Sequence, residues 1–469
     1  MSDATNSTLP APRSPLGGLP RPEPGAPRPY HFPRFERRTL PNGLRLVVAP
    51  AHKLPVVTVA AVVRAGASSD PEGREGLASL TARALTEGTA SLDAVALTRT
   101  VERLGAAVDA GADWDAAFVS LTTLASRLPE AFRLFADVLA DPAFPEREVE
   151  RLKQERIADI LQLRTEPRGL ADEMFARFVY APGSRYGRPE AGDERSVSSL
   201  GRDDVARFHA ERYVPGATTL VVAGDVTVDD AERLAREALG GWTGDAPSMP
   251  RVDDRPAARE RRVHLVTKAD APQSELRVGH VGVPRVTPDY FGIVVMNAIL
   301  GGLFNSRVNM NLREEHAYTY GAGSGFDWRL AAGPFDVSSA VQSDVTSAAL
   351  GEILKEIDRM RAEPVSPSEL SLATSYLDGV FPIRYETTAA IASALSNLTI
   401  YGLPEDYFDT YRDRIRGVTA ADVQAAAVKY LKPDELQLVV VGNPSVRPDL
   451  ESLGAGPVTV YDAEGKAIG

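Results

Sequence analysis

The residues best equipped for chemistry lie in one segment, Leu300-Gly301-Gly302-Leu303-Phe304-Asn305-Ser306-Arg307, followed by Asn311-Leu312-Arg313-Glu314-Glu315-His316-Ala317-Tyr318-Thr319-Tyr320. Paired glycines let the backbone of a ligand come close, because no Cβ intervenes. An arginine and a tyrosine seven positions apart, Arg313 and Tyr320, could place two donors on one oxygen, as stabilisation of a developing oxyanion requires. From spacing alone, the segment also reads as a glycine helix cap followed by a surface arginine and a half-buried tyrosine. The six histidines, at 31, 52, 209, 264, 280 and 316, include no two that lie three to five residues apart, so the sequence contains no two-histidine metal site on a helix. His209 and His316 read as partly exposed structural residues. There is no Gly-x-Ser-x-Gly elbow and no phosphate loop. The absence of cysteine removes thiolate ligands, disulfides and cysteine nucleophiles together.

The elements that must hold these groups are written twice. Asp204-Val205, Pro215 and Val221-Val222-Ala223-Gly224 recur 218 positions later as Asp422-Val423, Pro433 and Val439-Val440-Val441-Gly442. Pro142 and Pro145 agree with Pro364 and Pro367 at an offset of 222, and Asp113-Trp114 with Asp327-Trp328 at 214, as insertions allow. The pattern predicts two homologous domains, each an α+β unit with a mainly antiparallel sheet flanked by helices, closing as a clamshell. The boundaries are 34–243 for the first domain, 244–260 for a linker and 261–447 for the second, with a tail at 448–469. In the first domain, strands are expected at 44–48, 56–63, 117–124 and 218–226, and helices at 76–85, 128–139 and 146–163. In the second, strands are expected at 261–268, 275–283 and around 318–341. A helix at 290–300 is expected to bury Phe291, Val294, Val295, Ala298 and Ile299. On the helix at 76–85, Ser79, Ala82, Arg83 and Thr86 share the stripe opposite the apolar residues.

Residues 1–33 contain nine prolines and hardly any apolar run, which predicts a polyproline-like tail. With no signal-peptide pattern the expected location is the cytoplasm, the periplasm being left open. A formal net charge of −12 argues against nucleic acid or anionic lipid as partners, and 43% hydrophobic with 25% charged residues suggests no membrane span.

The doubled domain, the opening Leu40-Pro41-Asn42-Gly43-Leu44, the segment from Gly76 to Thr89, Phe144-Pro145, both Val-Val-x-Gly strands and the run from Gly301 to Tyr320 resemble the insulinase/pitrilysin family of inverted-motif zinc peptidases, especially its processing-peptidase-like branch. The resemblance spans about 36–447. In that family the segment matching Gly76 to Thr89 reads Gly-x-Ala-His-x-x-Glu-His and ends in Gly-Thr. Here Gly76, Ala78 and Gly88-Thr89 survive, while Ser79 and Arg83 stand at the two zinc-ligand positions and Ala82 at the general-base position. The third, downstream ligand matches Asp159 within one residue. Serine is a poor zinc ligand, arginine a permanent cation, and alanine has no proton chemistry. The chain is therefore expected to hold no metal, with Arg83 filling the vacated site and pairing with Asp159 or Glu155.

The resemblance also implies roles in the second half. Arg313 and Tyr320 match the pair that reaches the substrate carbonyl, with Tyr318 the alternative tyrosine. Gly301 and Gly302, with Asn305 and Ser306 after them, match the loop that approaches peptide. The implied function is that of a metal-free subunit of a heteromeric peptidase. It would bind unfolded peptide and lend donors to a partner subunit that bears zinc. The other class considered is a non-enzymatic peptide-binding or scaffold protein of the same fold.

Overall fold

Valine-rich runs build two six-stranded mixed sheets. The computed structural model describes residues 29–269 and 271–468. The proline-rich tail expected at 1–33 therefore falls, through residue 28, outside the described residues. The first sheet contains β1 (Glu36–Thr39), β2 (Arg45–Pro50), β3 (Val56–Val63), β4 (Ala107–Ala112), β5 (Ala117–Leu124) and β6 (Thr218–Gly224). The second contains β7 (Arg262–Thr267), β8 (Gln273–Val281), β9 (Ala322–Phe326), β10 (Pro334–Gln342), β11 (Gln437–Gly442) and β12 (Val458–Tyr461). The strand orders are β1-β2-β6-β3-β5-β4 and β12-β7-β11-β8-β10-β9. From the second strand onward the two sequences of strands correspond: β2 pairs parallel with β6 as β7 does with β11, and the remaining pairs are antiparallel. The repeated Val-Val-x-Gly runs are β6 and β11, buried along their whole length. The outermost strands differ: β1 enters antiparallel to β2, whereas β12 lies parallel to β7.

Two sequence expectations need correction. The stretch 448–469 is no tail, since it contains most of the helix Arg447–Leu453 and then β12, whose Val460 is buried against the sheet. The helix after β8 runs Tyr290–Asn297 and buries Ile293, Val295 and Met296, with Phe291 and Val294 only partly covered. That helix packs between β9 and the helix Ala420–Tyr430, so its covered surface is wider than one stripe and is rotated from the expected one. By length and composition the helical stretch Tyr290–Glu315 is apolar enough to cross a membrane, and half of its apolar window is buried inside this fold. The packing of Leu300, Val308 and Leu312 accounts for much of that apolar character.

The two sheets trade covering helices. The helix Pro167–Val179, which follows the first sheet's long helix Glu146–Thr165, packs on β8 and β11 of the second sheet. The helix Thr388–Ile400, from the second half, packs on β3 and β6 of the first. Leu170, Met174, Phe175 and Tyr180 accordingly share one core with Val266, Val281, Val439 and Val441. Thr58 on β3 hydrogen-bonds Thr388 Oγ1 at 2.9 Å, tying the exchanged helix to the sheet it covers. The stretch 244–255 that joins the halves has no helix or strand. It is nonetheless held, Ala181 N donating to Arg255 O at 2.8 Å.

At the seam between the sheets the two Asp-Trp repeats meet. The guanidinium of Arg329 lies 4.3 Å from the ring centroid of Trp114 and 4.5 Å from that of Tyr186, and its Nε donates to Asp327 at 2.9 Å. Asp115 accepts from Leu330 N at 2.9 Å, and the hydroxyl of Tyr401 donates to Trp328 O at 3.0 Å. Carboxylates crowd this seam. Burial raises Asp115 to about 6, and burial together with the neighbouring Asp113 raises Glu190 to about 7.

Phe175→Ala should lower stability by about 3–5 kcal/mol, as for large-to-small changes in a core. Because that core belongs to both halves, heat should unfold the variant in one transition; two separated calorimetric transitions would contradict the shared core. For Glu190 the folded pKa lies above the unfolded one, so ionisation opposes folding as pH rises from about 4.5 through about 7. Glu190→Gln should therefore stabilise the protein more at pH 8 than at pH 5 in parallel thermal melts; a gain independent of pH would show the carboxylate to be unstrained.

Candidate functional site

The helix that carries the degenerate motif, Leu77–Ala84, is aimed by the loop before it. Gly76 adopts φ 96°, which a side chain would strain, and a Cβ there would lie 2.7 Å from Ala191 O. No side chain of the cap residue serves this helix end. Asp70 does so from a distance: its carboxylate accepts from Gly76 N and Ala78 N, both at 2.8 Å, and from Arg185 at 2.9 Å. Its burial pushes its pKa up to about 6, so the cap is strongest when the group is ionised and Arg185 is in place.

On this helix Ser79 is partly covered, Ala82 is fully buried, and Arg83 reaches the facing helix Glu146–Thr165. Arg83 Nη2 lies 3.5 Å from Glu155, and Glu155 also takes Arg151 at 2.6 Å. Arg151 in turn holds Glu87 at 2.7 Å and Glu148 at 2.8 Å, continuing the ladder back to the end of the motif helix. Of the two partners expected for Arg83, the structure supplies Glu155; Asp159 is exposed and forms no ion pair among the described residues. Arg83 and Glu155 are 39% and 46% exposed, so the pair is screened and worth under about 1 kcal/mol. These residues do not fit zinc. A guanidinium stands where a ligand is needed, and no cluster of three His, Asp or Glu side chains able to hold a metal occurs among the described residues.

The second constellation is built on two π-helical turns, Ala298–Gly302 and Met310–Glu315, which flank the loop from Leu303 to Ser306. Such turns are uncommon and concentrate at functional sites. Arg313 stacks on Phe304, its guanidinium 4.7 Å from the ring centroid, and Phe304 is itself 62% exposed. Tyr320 precedes β9 and is 94% exposed, with no hydrogen bond to any described residue. Tyr318 instead stacks on His316 with centroids 4.9 Å apart. The turn bearing Arg313 is anchored from below: the buried Asn311 donates to Glu352 and to Glu356, both at 2.8 Å. Phe304, Asn311 and Glu356 were not singled out in the sequence; only the placement of Phe304 beside the glycine pair hinted at a role. His209 is also more buried than expected, bonded through Nε2 to Leu139 O at 2.9 Å.

The glycine pair divides its work. Gly301 is buried, and a Cβ on it would come within 2.4 Å of Ser324 N on β9, so its task is close packing. Gly302 is exposed and, like Asn305, is open to a ligand, whereas Ser306 is buried with its hydroxyl unpartnered. Gly301→Ala should therefore cost about 1–3 kcal/mol through forced movement of β9, and Gly302→Ala distinctly less. Chemical denaturation of both variants checks this; equal costs would refute the division.

Known proteins resemble this chain in sequence and in fold. A family profile described as insulinase (peptidase family M16) matches residues 45–184, and one described as the peptidase M16 inactive domain matches 199–377. An uncharacterised zinc protease of Mycobacterium tuberculosis is 27% identical over 415 residues, 87% of this chain and 93% of that protein. A probable mitochondrial-processing peptidase subunit beta of Arabidopsis thaliana is 23% identical over 430 residues, 89% and 80% of the two chains. A protein of Helicobacter pylori named a non-peptidase homolog is 23% identical over 398 residues, covering 84% and 90%. A crystal structure of a peptidase M16 inactive domain from Pseudomonas fluorescens superposes with a TM-score of 0.82 at 27% identity, over 87% of this chain and 98% of that one. The chain belongs to the insulinase family of peptidases, M16, as a member whose zinc motif has been replaced.

Proposed function

We propose that this chain is the metal-free subunit of a heteromeric zinc peptidase, binding extended peptide and presenting Arg313 and Tyr320 to a partner subunit that carries an intact zinc motif. The observation that carries this reading is an asymmetric loss. The ligand and base positions hold Ser79, Arg83 and Ala82, yet Arg313 and Tyr320, whose donors serve a reaction only beside a metal-bound nucleophile, are both present, Arg313 partly covered and Tyr320 exposed. The exposed Gly302 and the Gly325–Phe326 end of the edge strand β9 border a groove open to an extended peptide, while Asn309 and Asn297 already take Ala322 N and Ser324 O of that strand. The similarity to a protein named as one subunit of a processing peptidase supports a paired assembly.

A peptide-binding scaffold without proteolysis is the second reading, and similarity to a protein named a non-peptidase homolog favours it. Peptide cleavage by candidate zinc-bearing relatives, assayed with and without this chain, separates the two. The expected outcome is activity that requires both chains and falls by about 10²–10³ in kcat with Arg313→Ala, as when one oxyanion donor is lost. Partner activity indifferent to this chain would favour the scaffold. Chelator-sensitive proteolysis by this chain alone would overturn both readings.

A further inference from the structure

Two adjoining pockets of about 450 and 370 Å³ form one groove, sharing Tyr290, Trp328, Arg384 and Tyr411. One end of the groove lies at Gly302, Leu303 and the β9 residues Gly325 and Phe326; the other is walled by Tyr385, Tyr401 and Tyr407. In a chain of net charge −12, no aspartate or glutamate lines either pocket, while two arginines do.

Arg285 lies at the aromatic end, only 8% exposed. Its guanidinium sits 3.7 Å from the ring centroid of Tyr290 and 5.3 Å from that of Tyr407, and Nη2 donates to the Tyr407 hydroxyl at 2.7 Å. Among the described residues no carboxylate pairs with it. Arg384, the last residue of the helix Pro367–Arg384, is exposed at the junction of the two pockets and likewise has no ion pair there. Asp327, the acidic residue next to Trp328, is already taken by Arg329. A guanidinium cannot shed its proton, and ring faces compensate only part of the charge of one removed from water. Positive charge is therefore left directed into an aromatic-walled groove that opens at the exposed glycine.

We infer that this groove is a carboxylate-recognition subsite, in which a peptide passing Gly302 and the Gly325–Phe326 end of β9 sets an acidic side chain or its terminal carboxylate against Arg384, with Arg285 behind it. The inference deepens the peptide-binding reading and rests on it. It names acidic rather than basic peptide as the substrate class.

Four fluorescein-labelled peptides of one extended sequence test it by anisotropy with the full chain. The first has an internal glutamate and an amidated end, the second glutamine and an amidated end, the third glutamine and a free carboxylate, and the fourth lysine and an amidated end. The first or the third should bind roughly tenfold or more tighter than the second, the gain expected of a charge-assisted contact, and which of them does so separates side chain from terminus. Arg384→Glu should abolish that preference, while Arg99→Glu, an exposed arginine outside the groove, should keep it. Equal affinity for all four peptides, or a preference that survives Arg384→Glu, overturns the subsite and leaves the peptide-binding reading standing. Binding of none overturns both.

Discussion

Every other feature of this molecule depends on the exchange of covering helices between the sheets. The central strands are buried on both faces and need two covers, and here the second comes from the other half of the chain: Pro167–Val179 covers β8 and β11, and Thr388–Ile400 covers β3 and β6. Residues Phe32–Gly469 accordingly behave as one compact unit although they contain two sheets with corresponding strand order. Relative motion of the halves as independent bodies would strip Leu170, Phe175 and Val179 from the strands they cover. The position of Arg313 relative to the motif helix is thus set by packing, with the seam of Arg329 between Trp114 and Tyr186 fixing the angle further.

The same economy explains how the helix pair survived the loss of a metal site. A structural zinc ion contributes on the order of 10–16 kcal/mol to a site that it organises. The screened Arg83–Glu155 pair supplies far less than that. The motif helix is instead held by Leu77, Leu80 and Leu85, which share the first core with Val149 and Leu152 of the facing helix, and by the buried Asp70 at its start. In such a frame an exposed ligand position can change to arginine without collapse. The charge that arrives there is absorbed by carboxylates already in reach, Glu155 directly and Glu87 and Glu148 through Arg151.

Sequence periodicity located β3 and β5 to the residue, because Val56–Val63 and Ala117–Leu124 are rich in β-branched or alternating apolar positions. It did not reveal β4, whose Ala-Val-Asp-Ala-Gly-Ala carries little strand preference and pairs only because β5 presents an open edge. Nor did it reveal the exchange, since an apolar helical face does not say which sheet it will meet. The candidate site was legible only as residue types at set positions: Ser79, Ala82 and Arg83 on the first helix, and Arg313, Tyr320 and the glycine pair in the second half. Which glycine packs and which is open, the stacking of Arg313 on Phe304 and the aromatic box around Arg285 are contacts between segments distant in sequence or turned by π-helical geometry. Local spacing has no access to those.

Exchange has a temporal side as well. The last strand of the first sheet ends at Gly224, but the helix that covers its face begins at Thr388. On a ribosome adding roughly 5–20 residues per second, Val62 of β3 and Val221 of β6 wait some ten to thirty seconds for their cover. During that interval the nascent chain leaves Val62 and Val221, set among Thr58, Ala60, Thr219 and Ala223, open on a face that the finished protein buries, so synthesis of the second half sets how long that face needs protection.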